Sequence, residues 1–546
     1  MKRWIVGVLV LALLFAGAGC TKPETNVTTE PIETDIPGEF IVQDENLHTD
    51  FVCDDNYRVF YEIFVSSFSD ADGDGIGDIR GIINRMDYLN DGDPNSGRSL
   101  GVEGIWLTPI FQSPSYHKYD VTDYYTVDPD FGTEEDLKEL VDLCHERNVK
   151  VILDLPINHT SVENQWFKDF VSAHKSEDTG SEFYDFYSYY TDGESAPAGR
   201  AFHKASGTNV YYECNFWDQM PELEFDNDYV RETVLDVAKH YLDLGIDGFR
   251  FDAAKYLYFG EIEQNVNFWE WYIAELKKIN PDVYTVAEVW DSDGITDAYY
   301  PALNCFNFTT SQSSGLIAAT AKSGNVNQYT GYVDEYLDTV VKLREDAMLV
   351  SFIANHDTDR AAGYLTSASG QMQMAANIYL LGPGSPFIYY GEELGMRGSR
   401  GGSNTDANRR LAMVWGDGDT VKNPEGADYS SGSQIQETAA DQMVDADSLY
   451  TYYKELLMIR KANPEIARGD YTALTFESTK LGGFVSTWNG NSVCVLHNTT
   501  DSAVTVDLSK VTDLNFNSVA AMIGQGSATL NGTSLTLDAQ TSVVLR

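Results

Sequence analysis

Short apolar runs recur along most of the chain, separated by stretches in which apolar residues return every three or four positions. The runs occupy residues 59–65, 104–110, 150–155, 245–251, 283–288, 304–308, 349–354 and 386–390. A strand buried on both faces needs such a run, and the helical stretch that follows supplies the layer covering its outer face. The clearest helix is predicted over 134–148, where Thr133 and Asp136 have capping-box spacing and Leu137, Leu140, Val141 and Cys144 share one stripe. Eight parallel strands, each followed by a helix, predict a (β/α)8 barrel whose chemistry sits on the loops after the strands. An open α/β sheet is the alternative.

Two stretches break this rhythm. Residues 160–225, rich in Tyr, Phe, Gly, Ser and Asp, follow the third run; a structureless loop of that length is uncommon, so an inserted domain is expected there. Over 463–546 the helical period gives way to short alternating segments with Asn-Gly pairs at 489–490 and 531–532, which predicts a C-terminal antiparallel β domain, a sandwich. The barrel is thereby assigned to 46–159 and 226–462.

The N-terminus sets the expected compartment. Lys2 and Arg3 precede an apolar run over 4–15 and the small residues of 16–19, the order of an export signal. The run ends at Cys20 and resembles the bacterial lipoprotein signal, implying removal of 1–19 and a lipid on Cys20; Ala16-Gly17-Ala18 also fits an ordinary A-x-A cleavage site. Residues 20–45, Thr-, Glu- and Pro-rich, read as a disordered acidic tether. The expectation is a secreted protein held at the cell surface, with membrane contact only through the lipid.

Charge narrows the partners. With 37 Lys and Arg against 84 Asp and Glu, the net charge of −47 repels phosphate backbones and argues against nucleic acid. A neutral or cationic ligand suits this field better, and 33 Tyr, 26 Phe and 9 Trp offer ring faces on which sugars can pack. Cys53, Cys144, Cys214, Cys305 and Cys494 are odd in number and widely spaced, without a disulfide or metal pattern. Oligomeric state is not legible.

Candidate chemistry lies at strand ends. Asp252, Glu288 and Asp357 each stand at or just past the end of a different run. Arg250, two residues before Asp252, shares its face of the strand, where a fixed positive charge favours an ionised carboxylate. His356 precedes Asp357, and Asn158-His159 follow another run.

Four blocks in order, DLPINH (154–159), GFRFDAAKY (248–256), TVAEVW (285–290) and FIANHD (352–357), resemble the signature regions of the α-amylase family of retaining glycoside hydrolases. GIWLTPIFQSPSYHKYDVTDYY, MPELEFDN and SPFIYYGEELGM extend the resemblance over about 55–415. It implies a (β/α)8 barrel, an insertion after the third strand and a C-terminal β domain. It also implies Asp252 as nucleophile, Glu288 as general acid/base and Asp357 as transition-state stabiliser. Tyr119, Asp120, His159, Arg250 and His356 would surround the cleaved sugar, with Tyr119 stacking on it, and Lys255 would hold sugars on the leaving-group side. A retaining enzyme needs two carboxyl groups about 5–5.5 Å apart, one attacking the anomeric carbon and one protonated toward the leaving oxygen. The charges of Asp252 and Asp357 are expected to raise Glu288.

In SDADGDGIGD, Asp70, Asp72, Asp74 and Asp78 fall at positions 1, 3, 5 and 9 of an oxygen-rich loop. Gly81 at position 12 rules out an EF-hand. The loop resembles the calcium loop after the first strand in the oligo-1,6-glucosidase and neopullulanase branches of the family, which implies structural Ca2+ and a carbonyl ligand from Ile76; a plain acidic turn is the alternative. Ala253 resembles enzymes acting on α-1,4 bonds, and MPELEFDN an intermediate branch with secreted and lipid-anchored bacterial α-amylases. The resulting expectation is an endo-acting hydrolase of α-1,4 bonds in starch, maltodextrin or related α-glucans. An α-glucosidase or neopullulanase-like enzyme is the enzymatic alternative, and a glucan-binding surface lipoprotein the non-enzymatic one.

Overall fold

In the computed structural model, residues 51–366, 370–400 and 406–546 are described; the predicted signal, Cys20 and the tether lie outside them. Seven of the eight apolar runs form one parallel sheet, ordered Asn304–Cys305, Tyr284–Ala287, Gly248–Phe251, Lys150–Leu155, Gly104–Leu107, Phe60–Ile63, Phe387–Tyr389. The run at 349–354 does not form the continuous strand expected of it. Instead Val350 makes a parallel bridge to Phe306, and Phe352 one to Phe387. These bridges join the two edge strands and curl the sheet into a barrel. Phe306, Phe308, Met348, Val350, Phe352 and Phe387 crowd this side of the interior, and the ladder there is reduced to single contacts. The remaining filling is Phe60, Trp106, Ile152, Tyr284 and Val286, a packed core of inward-facing residues rather than a pore.

The capping box is present: Thr133 Oγ1 accepts from Asp136 N–H at 3.2 Å, and Asp136 Oδ2 accepts from Thr133 N–H at 3.0 Å. The helix, Glu134–Glu146, stops two residues before its predicted end, and Asn148 takes a left-handed φ of 56° beyond it. After the third strand the chain builds the helix Gln165–Ser176 and a small antiparallel sheet of Tyr189–Thr191, Val210–Glu213 and Phe202–Lys204. Beyond the helix Leu449–Ala462, a five-stranded and a three-stranded antiparallel sheet share a core that includes Leu474, Leu496, Leu535, Leu537 and Val543. Asn489 and Gly490, at φ 50° and 79°, form the two-residue turn between Leu481–Trp488 and Asn491–Asn498. At the second Asn-Gly pair the turn falls one residue later: Asn531 still pairs with Ser534, leaving Gly532 and Thr533 in the loop. Among the described residues, the five cysteines are buried and unbridged, and no helix is long and apolar enough to cross a membrane.

Candidate active site

Strand register assembles the site. Asp154 and Arg250 are direct partners across adjacent parallel strands, so their inward side chains meet, with Arg250 Nη1 2.8 Å from Asp154 Oδ1. Asp252 is the next inward residue, one position past its strand, and accepts from Arg250 Nη1 at 2.5 Å. Glu288 follows the neighbouring strand and places Oε2 3.2 Å from Arg250 Nη2. One guanidinium, 1% exposed, therefore faces three carboxylates, and the Trp106 ring lies 5.3 Å from it.

The backbone after Asp252 reinforces this placement. Ala253 sits at φ +49°, a left-handed conformation costing an L-residue roughly 1–2 kcal/mol. In return its N–H donates to Glu288 Oε2 at 3.1 Å, and Ala254 N–H donates to the Glu288 carbonyl at 3.2 Å. The strained turn thus ties the Asp252 loop to Glu288.

Asp357 enters from the opposite side. Its Oδ2 lies 3.1 Å from His356 Nε2 and its Oδ1 2.7 Å from Arg410 Nη2. His356 Nδ1 is 2.5 Å from Oε1 of Glu62, a first-strand residue that is 1% exposed. Tyr119 OH donates to Asp154 Oδ2 at 2.9 Å and meets His356 Nε2 at 2.7 Å. A continuous path of hydrogen bonds and ion pairs therefore runs from Asp357 through His356, Tyr119 and Asp154 to Arg250, Asp252 and Glu288.

Electrostatics separate the carboxyl groups. Burial raises Glu288; Arg250 opposes this, and the charges of Asp252 and Asp357 add to it, leaving the group above its ordinary value. Burial would also raise Asp357, but His356, Arg410 and Arg250 outweigh it and hold this carboxyl well below the usual range. Burial would lower His356, yet Asp357 and Glu62 flank both nitrogens and raise it to about 10. The site accordingly shifts Glu288 toward its protonated form and holds Asp357 ionised beside an imidazolium.

The other predicted residues take distinct places. His159 is 1% exposed, with Nε2 3.2 Å from the Tyr119 carbonyl, so it supports the Tyr119 loop. Asp120 is buried and accepts hydrogen bonds from Ser113 and Ser115 hydroxyls, bracing the same loop. Lys255 Nζ donates to the Trp290 carbonyl at 2.7 Å and Asp291 Oδ2 at 2.9 Å. Around the mouth, Phe216 is 46% exposed, its ring 5.6 Å from His159 and 5.0 Å from Tyr256. Trp290, 40% exposed, stacks on Phe308 at 4.8 Å. Glu62, Asp154, Arg410 and Phe216 are not assigned by sequence reasoning. Glu62 and Asp154 did leave a signal, as solitary acids at inward positions of apolar strands. Arg410 and Phe216 lie in irregular segments where no periodicity points to them.

In the acidic loop, oxygens of Asp70, Asp72 and Asp78 lie within 4.8 Å of one another. Asp70 also accepts from Gly73 N–H, Gly75 N–H and Thr420 Oγ1. Asp78 caps the following helix through Gly81 N–H, and burial, with the charge of Asp72 added, raises it. Asp74 is not in the trio; its Oδ1 accepts Ile76 N–H at 2.7 Å. Three carboxylates converging on one point fit a hard, oxygen-seeking cation.

Residues 62–469 match the family model "Alpha amylase, catalytic domain". The chain belongs to the α-amylase family. It is 35% identical over 451 residues to Alpha-amylase 3 of Dictyoglomus thermophilum, covering 81% of this chain and 84% of that protein. Identity to the 4-alpha-glucanotransferase of Thermotoga maritima is 33% over 350 residues, 63% of this chain and 74% of the relative. The solved structure of Eubacterium rectale Amy13B superposes with a TM-score of 0.81 at 33% identity, covering 90% of this chain and 96% of that one. The protein is thus an enzyme of a family of glycoside hydrolases and transferases, built as a (β/α)8 barrel with a C-terminal β domain.

Proposed function

We propose that this family member is an extracellular, endo-acting hydrolase of α-1,4 bonds in starch, maltodextrin or related α-glucans, working by retaining double displacement. The observation that carries this reading is the convergence of Asp252, Glu288 and Asp357, from three separate barrel loops, around Arg250 and His356. Asp252 attacks the anomeric carbon while Glu288, shifted toward its protonated form by burial, gives its proton to the leaving oxygen. Asp357, held ionised by His356 and Arg410, faces the positive charge that develops on the sugar. Glu288 then takes a proton from the water that releases the glycosyl-enzyme. Tyr119, held between Asp154 and His356, presents its ring to the sugar, and Lys255 contacts the leaving side.

The export-signal pattern of 1–19, Cys20 and the 20–45 tether support lipid anchoring at a bacterial cell surface. Asp70, Asp72 and Asp78, with the Ile76 carbonyl, would hold a structural Ca2+ that neutralises three converging acids and pins the loop after the first strand. Glucan transfer is the second reading, favoured by the similarity to a 4-alpha-glucanotransferase. Product analysis decides: internal cleavage of starch yields mixed maltooligosaccharides early, an α-glucosidase yields glucose alone, a neopullulanase-like enzyme cleaves pullulan, and a transferase lengthens maltotriose without net reducing-sugar release.

A further inference from the structure

Asn215, in the inserted segment just before Phe216, is held through both polar atoms of its side chain. Its Nδ2 donates to Glu213 Oε1 at 2.7 Å and to Glu222 Oε2 at 2.9 Å, while its Oδ1 accepts from Ala201 N–H at 2.9 Å. Its backbone N–H donates to the other Glu222 oxygen, Oε1, at 2.7 Å. The Glu222 carboxyl group therefore closes the loop from 215 to 222 by taking two donors from one residue, and Phe216 is the first residue inside that closure.

The two glutamates belong to different frames. Glu222 is tied to the barrel: it bridges His159, Thr160 N–H donates to the Pro221 carbonyl, and Leu223 N–H donates to the Asn158 carbonyl, both at 3.0 Å. Glu213 ends the insertion strand Val210–Glu213, and its Oε2 accepts from Ser188 Oγ at 2.7 Å and pairs with Arg200 Nη1 at 3.2 Å. Asn215 thus spans insertion and barrel. The ring that follows it lies against the same His159 and against Tyr256, yet is half in solvent and has little packing of its own to fix it. The clasp is also expensive. Both glutamates are buried, and burial, with the charge of Glu213 added, pushes Glu222 up to about 8. Apolar packing would close the loop without that penalty, so directed hydrogen bonds at Asn215 are what this arrangement secures.

We propose that Asn215 is a positioning residue: clasped between Glu213 and Glu222, it fixes the Phe216 ring beside His159, so that an incoming sugar meets a ring already ordered. This inference rests on the α-glucan reading above and deepens it. Ordering a side chain ahead of binding is worth roughly threefold to tenfold in affinity. Because the ring meets the sugar in the ground state and the transition state alike, the effect falls on KM rather than on kcat.

The test uses the full chain, with initial rates on maltoheptaose and amide hydrogen exchange read by mass spectrometry. Asn215→Ala should raise KM about threefold to tenfold and change kcat by less than about twofold. Asn215→Asp keeps the shape but puts a carboxylate where the amide donates, and should raise KM at least as much; a role in packing alone would spare it. Phe216→Ala should also raise KM, and adding Asn215→Ala to it should bring no further loss, because one residue acts through the other. Exchange within 214–220 should quicken in Asn215→Ala while the barrel strands stay as they were. An unchanged KM in folded Asn215→Ala, an Asn215→Asp enzyme that matches the parent, or losses that multiply in the double variant would overturn the proposal. A parent inactive on every α-glucan would instead overturn the α-glucan reading, and the exchange comparison would still decide whether Asn215 orders the loop.

Discussion

Glu62→Gln removes one of the two carboxylates flanking His356 while leaving an amide oxygen able to accept from Nδ1. The rise of His356 from 6.5 to about 10 corresponds to roughly 5 kcal/mol in favour of the imidazolium, achieved against burial. Asp357 and Glu62 are the two charges responsible, and deleting one should bring His356 down from about 10 toward its ordinary value. The linkage sign follows: with a folded value above the unfolded one, this contribution to stability is full below 6.5 and is lost as pH rises toward 10. Glu62→Gln should therefore destabilise most at pH 6 and least at pH 10. Nitrogen-15 NMR of labelled histidines reads the titration directly, and denaturant unfolding at both pH values reads the linkage. An unaltered protein in which His356 titrates near 6.5, or a variant in which it does not move, would refute the argument.

Other perturbations follow from the same geometry. Arg410→Ala leaves Asp357 short of a charge partner at 2.7 Å and should lower kcat/KM on maltooligosaccharides by about 10²-fold or more, with a stability loss on the order of 3 kcal/mol by chemical denaturation. Because Glu288 lies above its ordinary value, the alkaline limb of the kcat/KM profile should fall above the usual glutamate range, and Glu288→Gln should remove it along with most activity. Glu392 accepts from Tyr379 and Tyr453 hydroxyls, has a buried Oε2 without a partner, and is pushed up to about 8 by burial. Its contribution is present below 4.5 and lost as pH rises through 8, so Glu392→Gln should gain stability relative to the parent at pH 9 but not at pH 4. Removal of Ca2+ with EGTA should lower the melting temperature by several degrees, as expected for loss of a ligand bound only to the folded state. Asp70→Asn should abolish that response, and a melting temperature indifferent to chelator in the parent would contradict the calcium proposal.

Much of this architecture was legible because burial on both faces leaves an unmistakable pattern. The run at 150–155 became the strand Lys150–Leu155 without adjustment, and the Thr133–Asp136 spacing became a complete capping box. The run at 349–354 was equally apolar, yet it makes only bridges, because pairing depends on how large side chains from several strands share the interior. At the site, short spacings were informative: Arg250 and Asp252, two apart, do meet on one face. Contacts across the barrel were not, since Glu62 and His356 are separated by 294 positions, and only closure of the sheet brings them together. The loop acids show the same boundary. Spacing placed Asp70, Asp72 and Asp78 together, but it could not show that Asp74 turns to the Ile76 N–H.

The central claim is double displacement at Asp252 with Glu288 as proton donor, and the anomeric configuration of the first products tests it most directly. Proton NMR during hydrolysis of a maltooligosaccharide should show α-configured reducing ends before mutarotation, and Asp252→Asn, folded to the same melting temperature within a few degrees, should release none. Products born in the β configuration, or an Asp252→Asn protein that retains activity, would contradict the account.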